Sequence, residues 1–372
     1  MKINLLDPGL VRPWGHHHDW DTRIANALAG RGHEVRVYAS VDAVPEVLSG
    51  FADAVRVERH FRIHPYREPE DFDPLCGEIE RQFVSRNWTA RDLGQVAEAD
   101  LWLWPTLFSY QLWACATVRP KAAISACIHM PPGQPSGAVH AEPDPWWRFA
   151  AKGARAAGLD LRTIGILDPE GLQASLPFLG DLDPFVLPIP IDGKPRRRTS
   201  LETVGFFGAS RVEHGSPIVP DLIARCLDEG LKVTTQDTAL LSPAIRGRPG
   251  LEILDPGGDF ADKVARADLV VLPYQWGKYL GRISAVACQA IASGAPCVVP
   301  RGASFARATA RIGSGSVFSP LNVETVFAAI ARARQSFHAL ADAAYAGALE
   351  WQGTQGLTKF VDAMLGAAPA AA

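Results

Sequence analysis

Gly15 is followed by three consecutive histidines, His16, His17 and His18, where an apolar run has ended and a helical pattern begins. Imidazole titrates near neutrality, so histidines here could move a proton, ligate a metal or hydrogen-bond a ligand. Successive helical residues point about 100° apart, so three in a row cannot converge on one ion. His17 and Asp21, spaced i and i+4, share a face, but no third ligand is evident. Metal binding is therefore disfavoured, while solvent-exposed capping and contact with a substrate hydroxyl both stay open. A fourth histidine, His129, follows the apolar run 122–128. A polar residue leaving the carboxyl end of a buried strand projects into a ligand crevice, although a structural histidine ahead of a proline turn would look the same.

Two further stretches place cations beside glycines. In "FFGASRVEHGSP" (206–217) an apolar run ends at Gly208, which allows close backbone approach to a ligand. Arg211 supplies a permanently charged fork suited to a diphosphate, and His214 a second donor. In "LPYQWGKYLGRISAVACQA" (272–290) a loop carries Tyr274, Trp276, Tyr279 and Arg282, and Ser284 is placed to cap a helix. Amides at Ser284, Ala285 and Val286, reinforced by the helix dipole, suit an anion. Gln289 lies more than one turn further along. Each stretch alone also fits an ordinary turn or a generic capped helix.

The elements that position these groups alternate. Apolar runs predict strands at 2–6, 34–39, 100–104, 122–128 and 162–167, and again at 203–208, 231–235, 251–254, 268–273 and 296–300. Helical patterns predict helices at 17–30, 144–158, 216–229, 259–267, 284–293 and 322–349, with Trp20, Ile24 and Leu28 as the sheet-facing stripe of the first. Strand–helix alternation means parallel, doubly wound α/β sheets. At 372 residues the chain exceeds one core, and the proline- and charge-rich stretch 187–202 separates the two series with a boundary near residue 193. Within it Arg196, Arg197 and Arg198 read as a solvated linker, with an anionic surface or acceptor as the alternative. No G-x-G-x-x-G follows a strand and no G-x-x-x-x-G-K-[ST] occurs, which argues against a dinucleotide-binding oxidoreductase and a P-loop enzyme. The aromatics of 106–113 read mainly as core.

Composition narrows the classes further. The chain is 47% hydrophobic and 21% charged with a formal net charge of −3, so it is globular, and no basic field argues for nucleic acid. Six cysteines without C-x-x-C spacing read as reduced residues of a cytoplasmic protein. No run of about 18 apolar residues and no leader pattern is present, so no transmembrane segment is expected. Peripheral contact with a membrane surface stays compatible with the sequence.

Four stretches, in order, resemble the family-4 glycosyltransferases of the GT-B fold. "GHEVRVY" (32–38) is similar to that family's N-terminal signature, and "FVLPIPID" (185–192) to its domain-crossing segment. "GASRVEHG" (208–215) resembles its phosphate loop, and "S-A-x-x-x-Q-A-I-A-S-G-A-P-C-V-V" (284–299) its donor-binding segment. The pattern departs from the family at specific positions. Gln289 stands where the family's second Glu holds the ribose, Gly281 where the first Glu faces the sugar, His214 where a lysine binds phosphate, and Met130 where His129 would be followed by Asp. Tyr279, Arg282 and Ser284 fit instead the Tyr-x-x-Arg-x-Ser pattern of some members of the superfamily.

The resemblance implies two Rossmann-like domains facing a central cleft. Residues 1–192 would bind the acceptor, with a returning helix at 350–366, and residues 193–349 would bind the donor. It implies transfer of a hexosyl group from a nucleotide-diphospho-sugar, with retention, to a hydroxyl of a glycan, lipid-linked or small-molecule acceptor. Gly15, Gly208, Arg211, His214, Tyr279, Arg282, Ser284, Ala285 and Gln289 would serve the donor. His16, His17 and His18 would serve the acceptor, and His129 the transferred sugar. Arg211, Arg282 and the amides from Ser284 can neutralise a departing diphosphate, so no metal and no cofactor are expected. Main-chain contacts around 235–260 would read the nucleobase. A GT-B-fold epimerase and a catalytically silent nucleotide-sugar binder are the alternatives; the epimerase would want more carboxylates than the motifs supply.

Overall fold

Buried valine, leucine and isoleucine runs too short for helices form the two sheets of the computed structural model, which describes residues 1–13, 15–65, 77–133, 144–208, 211–236, 241–255 and 259–366. In the first unit, Met1–Pro190 with the chain from Leu357, seven parallel strands are β1 (Lys2–Leu6), β2 (Glu34–Ser40), β3 (Val55–Phe61), β4 (Leu101–Trp104), β5 (Ala123–Ile128), β6 (Leu161–Ile166) and β7 (Phe185–Val186). Their order is β3-β2-β1-β4-β5-β6-β7. The second unit, Ile191–Gly356, contains β8 (Thr203–Phe206), β9 (Lys232–Thr235), β10 (Leu251–Ile253), β11 (Leu269–Val271), β12 (Cys297–Pro300) and β13 (Gly315–Phe318) in the order β10-β9-β8-β11-β12-β13. Both sheets reverse direction beside their first strand, so loops after β1 and β4, and after β8 and β11, flank a topological switch point where doubly wound sheets bind ligands.

Each strand missing from the sequence reading has a physical reason. β3 is an edge strand that alternates apolar and charged residues, "VRVERHF", and β7 and β13 are only two and four residues long. The helix Glu78–Leu93 was missed because its buried positions are Ser85, Thr89, Asp92 and Leu93, three of them polar. The helix Ser109–Val118 is apolar on all sides and carries no helical period. Phe108 and Tyr110 form a small core with Ile63 and Met130. The predicted helix 322–349 is two, Val323–Gln335 and Phe337–Thr354. Residues 350–354 thus belong to the second unit, and the segment within the first is the helix Leu357–Met364, tied by Arg31 Nη1 to Asp362 at 2.6 Å and by Thr163 Oγ1 to the Ala363 carbonyl at 2.9 Å.

Arg196 and Arg197 are exposed, as a solvated linker requires, but Arg198 is not. Arg198 is 3% exposed and donates to the carbonyls of Ala267 and Ser293, both at 2.9 Å, and of Arg196 at 3.1 Å. Burial, followed by repulsion from Arg196, lowers its pKa to about 10. Arg196 donates to the Ala265 carbonyl at 2.8 Å and pairs with Asp268 at 3.6 Å. Backbone acceptors, which a sequence does not display, consume the charge. Among the described residues no helix is long and apolar enough to cross a membrane.

Candidate functional site

The chemistry gathers at two places, one in each unit. In the first unit, β1 ends at Leu6 and the chain turns through Asp7, Pro8 and Gly9. The Asp7 carboxylate accepts the Gly9 amide at 2.7 Å on Oδ1, closing an Asx turn, and His17 Nδ1 at 2.6 Å on Oδ2. Since a carboxylate only accepts, this assigns the His17 proton to Nδ1. Gly9 is required by the ring: a Cβ there would sit 2.3 Å from His17 Cε1. Gly15 begins the helix His16–Gly30 at φ +87°, a conformation open to glycine, and makes no side-chain cap.

Asp21, one turn after His17, is fully buried and touches Asp7. Burial first, then the Asp7 charge, raise its pKa well above the usual carboxylate range. Around this pair the rings stack. His16 lies 4.2 Å from His17 and 4.5 Å from His129, the latter at 19°, and Trp20 meets the His129 edge at 5.5 Å. The ends of β1 and β5 therefore bring His16, His17 and His129 together. His18 is elsewhere: its Nε2 bonds the Ser49 carbonyl at 3.0 Å and its ring packs edge-on against Phe51. Adjacent in sequence to the other two and expected to act with them, His18 is turned away by the 100° step of the helix. Asp7 and Gly9 were not singled out, since "DPG" after a strand looks like a plain turn.

In the second unit, the loops after β8 and β11 are zipped together. The Gln275 amide donates to the Glu213 carbonyl at 2.9 Å, and a Cβ on Gly215, at φ +76°, would lie 2.1 Å from the Pro273 carbonyl oxygen. His214 bonds the Tyr279 hydroxyl at 2.7 Å through Nε2 and stacks on Tyr274 at 4.5 Å. Tyr274 is bonded in turn to Ser284, which caps the helix Ala285–Ala292 by accepting the Ala287 amide at 3.3 Å. Burial raises both phenols, Tyr279 to about 12 and Tyr274 further, so each keeps its proton. Gly208, at φ +101°, faces this network: a Cβ there would approach the Tyr274 hydroxyl to 3.3 Å.

Two guanidiniums border the cluster. Arg282 lies over the Tyr279 ring at 5.4 Å, and exposed Arg211 approaches Glu213 at 3.9 Å. Ala285, in the first turn of the capped helix, is exposed. Gly208, Arg211, His214, Tyr279, Arg282, Ser284 and Ala285 thus share one region. Gln289 is the exception. It is 5% exposed and spends its amide Nε2 on the Asp192 carbonyl at 3.3 Å. Residues 209–210, and 237–240 and 256–258 of the expected base-reading stretch, lie outside the described residues. Among the described residues, no group of three or more His, Cys, Asp or Glu side chains is arranged to hold a metal ion.

No family model and no curated protein matches the sequence. Solved structures do. HepE of Anabaena, crystallised in complex with UDP, is 14% identical, with a TM-score of 0.67 over 98% of each chain. WaaG, a glycosyltransferase involved in lipopolysaccharide biosynthesis, is 17% identical, with a TM-score of 0.62 over 98% of this chain and all of the other. The sucrose-phosphate synthase of Thermosynechococcus elongatus is 13% identical, with a TM-score of 0.65 over 98% of this chain and 97% of the other. At such identities the likeness establishes the fold alone: two Rossmann-like α/β units of the GT-B class.

Proposed function

We propose that the chain is a glycosyltransferase of the hexosyl-transferring type. It takes a nucleotide-diphospho-sugar through residues of the second unit and an acceptor hydroxyl through residues of the first. The observation that carries this reading is the zipped loop pair, where Arg211 and Arg282 flank a capped helix N-terminus around a tyrosine–histidine network. Guanidiniums and helix amides are the groups that stabilise a diphosphate as its negative charge grows. The UDP-bound state of HepE supports the same class of ligand. In this reading Arg211, Arg282 and the amides of Ser284–Val286 neutralise the leaving diphosphate without a divalent ion. His129 faces the transferred sugar, His16 and His17 face the acceptor, and configuration is retained, as the resemblance implies. Glycan, lipid-linked and small-molecule hydroxyls all fit the acceptor role.

One observation favours a second reading, a silent nucleotide-sugar binder. Gln289 is committed to the Asp192 carbonyl, and Gly281 brings no side chain where the resembling family has an acid. The test is a thermal-shift screen against UDP, GDP, dTDP and ADP with and without EDTA, followed by release of nucleoside diphosphate from the matching donor. A stabilising nucleotide raises the melting temperature by mass action. An EDTA-insensitive shift with turnover supports the transferase. A shift without release in the presence of acceptors supports the binder. Arg211→Ala should weaken nucleotide binding by about 1.5–3 kcal/mol, roughly 10- to 150-fold, as expected for charge-assisted bonds. An unchanged affinity would remove Arg211 from the site.

A further inference from the structure

Two carboxyl groups in contact inside a protein cannot both ionise without a large cost, so one of them holds a proton. The donors around them decide which. Asp7 receives the Gly9 amide and His17 Nδ1–H, whereas among the described residues no donor bonds either oxygen of Asp21, although the residue is fully buried. We propose that Asp21 is a positioning residue: as a neutral carboxylic acid it donates a hydrogen bond to Asp7, and Asp7 in turn fixes His17 with Nδ1 protonated and Nε2 as a hydrogen-bond acceptor. The ligand class that suits this tautomer is a hydroxyl donor, which deepens the acceptor-side reading above and rests on it for the identity of that ligand.

The surroundings leave Asp21 little else to serve. Asp7, just after β1, adjoins it, and His17, which bonds Asp7, lies one turn earlier on its own helix. His129 of β5 stacks on His16. Tyr38 of β2 accepts the Ala97 amide on its hydroxyl oxygen at 3.1 Å, and Asp362 on the helix Leu357–Met364 pairs with Arg31. Gly9 completes the arrangement, because any larger residue would displace the imidazole from Asp7. A buried acid set against another acid contributes little to folding that leucine would not. It does control the orientation of the ring beyond its partner.

The experiment is long-range 15N–1H correlation on the full-length protein labelled with 15N-histidine, with the His17 signals assigned by their loss in His17→Asn. The wild type at pH 7 should show protonated Nδ1 and unprotonated Nε2. Asp21→Asn, which keeps a donor to Asp7, should preserve that pattern. Asp21→Leu should give averaged nitrogens characteristic of mixed tautomers. Should Asp21→Leu fail to fold, pH supplies the second arm: the fixed tautomer of the wild type is lost as pH rises and Asp21 ionises, while Asp21→Asn keeps it. His17 signals unchanged in Asp21→Leu, or a loss at high pH shared by Asp21→Asn, would overturn the proposal. None of these readouts needs a substrate, so they stand apart from the transferase reading, which fails separately if no nucleotide binds and none is released.

Discussion

Replacing Asp21 by asparagine should remove a weakening, with rising pH, of the helix that carries the histidines. In the unfolded chain the Asp21 carboxyl titrates near its ordinary value, about 4. In the folded chain burial, and then the Asp7 charge, raise it well above that. Between the two values the folded state holds one proton that the unfolded state has released. The unfolding free energy therefore falls as pH rises, by up to about 1.4 kcal/mol per pH unit for that single proton. The contribution is complete below about pH 4 and is gone once pH has passed the folded-state value. Asparagine carries no titrating proton, so its curve lacks this slope while sharing the titration of other groups. The assay is hydrogen–deuterium exchange of peptides spanning His16–Gly30 at a series of pH values. Comparing variant and wild type at the same pH cancels the intrinsic exchange chemistry. Protection in Asp21→Asn relative to wild type should grow with pH, by up to roughly tenfold per unit where the helix opens with its unit. Parallel protection profiles would refute the claim that Asp21 is the protonated member of the pair.

Three further substitutions probe the loops. Gly9→Ala places a Cβ 2.3 Å from His17 Cε1, so it should cost about 1–3 kcal/mol of stability, read as a lowered melting temperature, and release His17 from Asp7. Gly215→Ala meets the Pro273 carbonyl at 2.1 Å in a left-handed conformation, and should unzip the second unit's loops. Nucleotide binding by calorimetry should disappear while far-ultraviolet circular dichroism stays native. Tyr279→Phe removes the 2.7 Å bond to His214 and should cost about 0.5–1.5 kcal/mol in unfolding, with nucleotide affinity reduced several-fold. An unaltered affinity would place the phenol in packing alone.

Much of this molecule can be read from its sequence because parallel sheets write themselves as apolar runs. β1, β4, β5, β8, β11 and β12 are covered on both faces, and none needs a partner's identity to be recognised. The edges are harder. β3 faces solvent and alternates charge with valine, and the helix Glu78–Leu93 buries serine and threonine where a pattern reader looks for leucine. That the second unit's loop residues come together was legible for a similar reason: glycine, arginine, tyrosine and serine keep a fixed spacing within two loops, each loop following a strand. Gln289 shows the limit of that spacing, since its partner is the main chain of Asp192, 97 residues away.

The first unit's histidine cluster was half legible, and the missing half holds the orientation. Three histidines in a row invite a joint role, yet the helix turns His18 toward Ser49 and leaves His16 and His17 to the strand ends. What singles out His17 is Asp7, ten residues earlier, on a turn whose "DPG" would pass as punctuation. Nothing in spacing joins them; only the adjacency of a strand's end to the next helix's first turn does. The same adjacency brings Asp21, which spacing pairs only with His17, onto Asp7 in the interior. The two carboxyls become distinguishable only once their donors are counted. That count among the described residues, two for Asp7 and none for Asp21, assigns the proton of the pair, and Asp7 then holds His17 through Nδ1.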